Sequence, residues 1–150
     1  MQEVGYSDLD LVYDEFGKPH VKDGKHISIT HSHEFSAIVL SDENIGIDME
    51  MRREKIIRIA DKFVDCEFEF LNQHHENYIG KLTAIWGAKE AIFKIRNETG
   101  ISFKDHIKVN SFELEEKTGI AYLHFKDMIK CFSIHFEEIE NFILVYAFEK

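Results

Sequence analysis

The ten residues IWGAKEAIFK, 85–94, set a lysine beside a glutamate in a stretch otherwise made mostly of Ile, Trp, Gly, Ala and Phe. At about 100° per residue, Ile79, Leu82, Ile85, Trp86, Ile92 and Phe93 share one broad apolar face, and Ala84, Gly87, Ala88 and Ala91 make the opposite side small and uncharged. Both sides suit packing, so the spacing predicts a buried helix from about Asn77 to Arg96, ending before Gly100. Lys89 projects near the middle of the large face and Glu90 near its edge, with Lys94 one turn beyond Glu90 on the same side. Two readings of this charge are open. One is a snorkelling Lys89 with a surface Glu90–Lys94 pair worth roughly a few tenths of a kcal/mol. The other is a buried site for an anion and a metal, because charge buried without a counter-ion is costly.

Outward from this helix the pattern changes on both sides. From Glu54, Ile56, Ile57, Ala60, Phe63 and Val64 repeat at helical spacing, and a second short helix starts near Asp65 and carries Phe68 and Leu71. Earlier, HISITHS (26–32) and FSAIVLS (35–41) read as two strands joined by a polar turn around His31, Ser32 and His33. NIGIDME (44–50) follows as a third, which predicts a three-strand antiparallel meander. Downstream, IKVNSFELE, IAYLHFK, KCFSIHFEE and FILVYAFE alternate or run apolar at strand length, with polar turns such as Lys117-Thr118-Gly119 between them. Residues 1–26 are a weakly patterned lead-in with a turn near Pro19, the only proline. Strands, helices and strands in that order predict an α+β fold, an antiparallel sheet packed with about three helices, in one domain over residues 1–150.

Composition narrows the function classes. At 44% hydrophobic and 13% aromatic residues, 150 residues supply one substantial core. No apolar run approaches membrane-spanning length and Met1-Gln2-Glu3 opens no leader pattern, so the expectation is a soluble, cytoplasmic protein with no membrane partner. A formal net charge of −10 argues against general nucleic-acid binding. Arg52, Arg53, Lys55, Arg58 and Lys62 form the one basic cluster, either a solvated helix face or a contact for an anionic ligand or partner. Cys66 and Cys131 make no CxxC pair and read as reduced, core or half-buried thiols.

Two further groups could carry chemistry. In GIDME (46–50), strand alternation points Ile45, Ile47 and Met49 into the core. Gly46, Asp48 and Glu50 line the other side, the carboxylates about 7 Å apart along the chain. The pair suits a hard cation such as Mg²⁺, beside a glycine that lets a ligand approach; the competing reading is an edge strand showing acid to solvent. His31 with His33, and His74 with His75, lack the company of a zinc site.

Taken in order, Gly17-Lys18-Pro19, ISITHS, GIDME, the glutamate of FVDCEFEFL and WGAKEAIFK resemble the signature series of the 4'-phosphopantetheinyl transferase superfamily. The specific parts are G-[IV]-D-x-E and, about forty residues later, W-x-x-K-E-A-x-x-K; the resemblance spans roughly Gly17 to Lys150. It is to the C-terminal half of the surfactin-synthetase-activating type, related to holo-acyl-carrier-protein synthase. It implies Mg²⁺-dependent transfer of the 4'-phosphopantetheine arm of coenzyme A to a serine of an apo acyl or peptidyl carrier protein, releasing 3',5'-ADP. Asp48 and Glu50 would hold Mg²⁺, with Glu90 a third ligand or the general base, and Lys94 would steady the charge on the transferred phosphate. Lys18 and His31 would contact coenzyme A phosphates, with Ser32 and Lys89 in the same pocket; Glu67 matches an acidic family position. Larger members carry an N-terminal half with further nucleotide contacts, and small members trimerise, so the resemblance implies a homo-oligomer, dimer or trimer, that completes the cleft. The alternatives are a shortened, non-catalytic half-domain that binds coenzyme A or a carrier, and an unrelated Mg²⁺-dependent nucleotide hydrolase. Arg52, Arg53, Lys55 and Arg58 would dock an acidic carrier.

Overall fold

A computed structural model describes residues 11–13, 15, 19–21, 25–32 and 35–150. Lys18 and His33 lie outside the described residues. Strands β1 (Leu11–Tyr13) and β2 (Pro19–Val21) form a short antiparallel pair inside the lead-in, and β3 (His26–Ser32) pairs antiparallel with β4 (Phe35–Ser41). His31 and Ser32 belong to β3, with Ser32 opposite Phe35, so the strand runs further than the sequence reading placed it.

The predicted meander is not formed. Strand β5 (Ile45–Met51) leaves β4 and becomes one edge of a five-stranded antiparallel sheet of order β5-β9-β8-β7-β6. The other members are β6 (Ile107–Val109), β7 (Thr118–Phe125), β8 (Met128–Ile139) and β9 (Phe142–Glu149). The reason is a competition for the two edges of β5. Strand β9 offers a full backbone ladder, from Ile45 opposite Phe148 to Met51 opposite Phe142. On the other edge, the side chains of β3 take the place of a backbone partner. The Ile47 N–H donates to Ser28 Oγ at 2.9 Å and the Met49 N–H to Thr30 Oγ1 at 3.0 Å. Both hydroxyls are buried, and they satisfy donors that would otherwise be orphaned.

The predicted long helix is present as α2 (Tyr78–Arg96), closed by Asn97 in the left-handed conformation, whose N–H donates to the Phe93 carbonyl. The first short helix is α1 (Lys55–Ile59) continued by a 3₁₀ turn, and the second is only a 3₁₀ turn, Cys66–Glu69. The stretch read as one strand from Ile107 breaks after Val109, and a third helix, α3 (Phe103–His106), precedes it with Ser102 Oγ capping the Asp105 N–H. The α+β class with an antiparallel sheet and three helices therefore holds. Cys131 is half-buried as read, whereas Cys66 is exposed; both are free. Among the described residues no helix is long and apolar enough to cross a membrane.

The core lies between α2 and one sheet face, where Ile143, Val145 and Ala147 of β9 meet Ala84, Ala88 and Ala91. This inverts the expected orientation of β5. Gly46, Asp48 and Glu50 pair with Ala147, Val145 and Ile143 and so share the helix-facing side; Ile45, Ile47 and Met49 are buried on the opposite face. Gly46 does not make room for a ligand. A Cβ there would lie 2.0 Å from the Ala91 carbonyl oxygen, so the glycine makes room for the helix backbone.

Replacing Gly46 with alanine must push α2 off the sheet and is expected to cost about 3 kcal/mol. Gly119→Ala, whose Cβ would meet nothing closer than 3.5 Å, should cost less than about 1 kcal/mol. Urea unfolding of the two variants measures both; equal losses would refute this packing account.

Candidate active site

Helix α2 carries Trp86, Glu90 and Lys94 four residues apart, so they form one stripe along its surface. The close contact at Gly46 lays that stripe beside the carboxylates of β5. Trp86 Nε1 donates to Glu50 Oε1 at 3.1 Å at one end. At the other, Lys94 Nζ donates to the Ile47 carbonyl at 2.7 Å, and to Asp48 Oδ1 and the Ile29 carbonyl at 3.4 Å each. Lys94 thus bridges β3 and β5 and touches Asp48 on β5. Gly87 lies against the same aspartate, where a Cβ would be 3.6 Å from Asp48 Oδ2.

Burial decides the electrostatics. Asp48 is 5% exposed, and its Oδ2 has no hydrogen-bond partner. Desolvation, and then the charge of Glu50, raise its pKa from 3.8 to about 9 against the pull of Lys94. Burial also lifts Glu90 above the ordinary carboxylate range; Lys94 opposes this and Glu50 adds to it. The charges of Glu50 and Glu90 thus both act on Asp48, and that of Glu50 on Glu90. The site holds acidic oxygen donors, one of them buried without a partner, which is the chemistry of a hard-cation site. Among the described residues no three His, Cys, Asp or Glu side chains converge to hold an ion. The arrangement suits a cation held by Asp48 and Glu50, which matches the one or two protein carboxylates that Mg²⁺ usually takes.

The remaining predicted residues separate. Ser32 is half-buried and lines an open cavity of about 280 Å³ with Glu50, Arg53, Lys55, Ile56 and Trp86. His31 is exposed near the end of β3. Lys89 departs from expectation. It neither snorkels nor faces a ligand: it is fully buried, with Nζ 3.0 Å from Glu67 Oε2, 2.5 Å from the Phe63 carbonyl and 2.9 Å from the Phe103 carbonyl. Its three protons are committed to these acceptors, which makes an interior ion pair with Glu67. Burial pulls the Lys89 ammonium down while Glu67 holds it up. Glu67, also fully buried, accepts from the Asp65 N–H at 3.0 Å and the Val109 N–H at 2.9 Å. Sequence reasoning missed two contributions, the Ser28 and Thr30 hydroxyls and the Trp86–Glu50 hydrogen bond. The available signals were S-x-T on a strand and the i, i+4 spacing of Trp86 and Glu90.

Two stability measurements follow from these burials. Lys89→Met leaves the Glu67 charge uncompensated in the interior and should cost about 3–5 kcal/mol, whereas Glu67→Gln with Lys89→Met should recover a large part of that loss. A double variant no more stable than the single one would remove the ion-pair assignment. For Asp48 the folded pKa exceeds the unfolded one, so the folded protein retains a proton, and stability declines as pH climbs from about 4 towards about 9. Asp48→Asn removes that term. In EDTA it should raise stability at pH 8 by at least about 1 kcal/mol and leave it unchanged near pH 3; no gain at pH 8 would show that Asp48 is not held neutral by its surroundings.

Two comparisons with known proteins bear on this geometry. Residues 44–147, from the start of β5 into β9, match the family model of the 4'-phosphopantetheinyl transferase superfamily. The chain is also 31% identical over 104 residues to the 4'-phosphopantetheinyl transferase Gsp of Aneurinibacillus migulanus, covering 68% of this chain and 42% of that protein. The match thus spans less than half the length of that relative. Because the family match runs over well more than half of the chain and contains both the D-x-E strand and the helix laid against it, this chain belongs to the 4'-phosphopantetheinyl transferase superfamily.

Proposed function

We propose that this chain moves the 4'-phosphopantetheine arm of coenzyme A onto a serine hydroxyl of an apo acyl or peptidyl carrier protein, with Mg²⁺, releasing 3',5'-ADP. The observation that carries this reading is the Trp86–Glu90–Lys94 stripe laid along Asp48 and Glu50. Asp48 and Glu50 would hold Mg²⁺, which supplies positive charge to the pyrophosphate of coenzyme A. Glu90, its pKa lifted by burial and by the charge of Glu50, suits the general base that takes the serine proton. The serine oxygen bonds to the phosphorus next to pantetheine as the bond to the 3',5'-ADP oxygen breaks. Lys94 neutralises charge gathering on the phosphate, the main service a protein renders in phosphoryl transfer. Ser32, His31 and Lys18 would steady the coenzyme A phosphates. The cytoplasm, where carrier proteins and coenzyme A meet, would be its compartment.

The carrier would dock over helix α1. Arg53 and Lys55 line the cavity, and Arg58 stands among the exposed Ile57 and Ile59, which gives a basic and apolar surface for an acidic partner. Arg52 is drawn off to Glu138 and takes less part. The second reading is a domain that binds coenzyme A or a carrier without transfer.

Intact mass spectrometry of an apo acyl-carrier protein incubated with the chain, coenzyme A and Mg²⁺ distinguishes them. A mass gain equal to phosphopantetheine is expected, abolished by EDTA and reduced at least about a hundredfold by Asp48→Ala and by Glu90→Gln. Arg53→Glu with Arg58→Glu should raise KM for the carrier and leave kcat close to wild type. Coenzyme A binding with no mass gain would favour the half-domain binder, and undiminished transfer by both carboxylate variants would place the chemistry elsewhere.

A further inference from the structure

We propose that Trp86 is a positioning residue for Glu50, its indole N–H fixing the carboxylate that, in the transferase reading on which this inference rests, helps to hold the cation. An indole N–H can only donate, and a half-buried one needs an acceptor; Glu50 Oε1, at 3.1 Å, is that acceptor. Glu50 is the penultimate residue of β5 and half-buried at the cavity wall, where a glutamate free to turn would swing into water. The hydrogen bond removes that freedom on one oxygen.

The indole itself is clamped. Phe63 meets it edge-on, with ring centroids 5.2 Å apart at 74°, and Phe103 packs at 5.2 Å and 54°. The backbones of these two phenylalanines are held in turn, because Lys89 Nζ donates to the carbonyls of both. A continuous set of contacts therefore runs from the buried Glu67–Lys89 pair through Phe63 and Phe103 to Trp86, and from Trp86 to Glu50. Lys89 acts on the site through this cage. Outer partners of metal-binding carboxylates commonly govern cation affinity by ten- to a hundredfold when removed.

Trp86 is the only tryptophan, so its indole N–H gives a single cross-peak in a ¹H–¹⁵N spectrum of the full chain. That peak is expected to shift on addition of Mg²⁺, and in Glu50→Ala to move and cease to respond. Trp86→Phe keeps an aromatic ring in the cage and removes only the donor. Its Mn²⁺ affinity, measured from free Mn²⁺ by electron paramagnetic resonance, should fall about ten- to a hundredfold with the fold retained. Mn²⁺ binding equal to wild type in a folded Trp86→Phe overturns the positioning and leaves the transferase reading standing. A wild type that binds no Mn²⁺ overturns both. A wild type that binds Mn²⁺ and transfers nothing, with the loss in Trp86→Phe still seen, keeps the positioning and removes the transferase reading. Should Trp86→Phe fail to fold, the cross-peak decides: an indole resonance indifferent to Mg²⁺ overturns the proposal.

Discussion

The carbonyl oxygen of Ala91 sits 2.0 Å from where a Cβ on residue 46 would lie, and at Gly87 the same helix leaves a Val145 methyl 2.7 Å from its own missing Cβ. Two glycines, one on a strand and one on a helix, thus bring α2 against the sheet more closely than side chains would allow. The order of the site depends on this approach. It excludes water from Asp48, brings Lys94 within reach of that carboxylate and of the Ile47 carbonyl, and sets Trp86 against Glu50. With a wider separation the same residues would sit on two surfaces with solvent between them, and their mutual influence would be screened.

The second support is away from the chemistry. Glu67 and Lys89 bury opposite charges beside one another, and each also binds backbone: Glu67 the N–H groups of Asp65 and Val109, Lys89 the carbonyls of Phe63 and Phe103. One ion pair thereby ties together a 3₁₀ turn, the long helix, the first residue of α3 and the short strand β6. Such pairs add little net stability compared with apolar packing, yet losing one partner is costly, so the pair selects one arrangement of these elements over others. It accounts for charge in the middle of an apolar helix face without any ligand.

At the site itself the balance runs the other way. Asp48 is kept where its charge is disfavoured, with one oxygen unsatisfied and a second carboxylate close by. A folded protein that retains such a group gives up stability for it, and sites of this kind are where binding function concentrates.

Much of this could be read along the chain. The 3.6-residue period from Asn77 to Arg96, the strand lengths after Gly119, and the D-x-E and W-x-x-K-E-A-x-x-K spacings gave the α+β class, the long helix and the family resemblance, because periodicity and spacing are local properties. Three features were not legible. Strand β5 chose β9, nearly a hundred residues away, over its neighbour β4, since pairing depends on which edge offers a complete ladder. The face of β5 that meets the helix was inverted, because alternation divides a strand into two faces without saying which one a helix will cover when both are buried. Lys89 and Glu90 are adjacent and look alike in the sequence, yet one turns to Glu67 in the interior and the other to the site. Residue identity and spacing determine which charges a helix carries; where each finds its partner is decided only when distant segments meet, because burial and counter-charge belong to the packed chain.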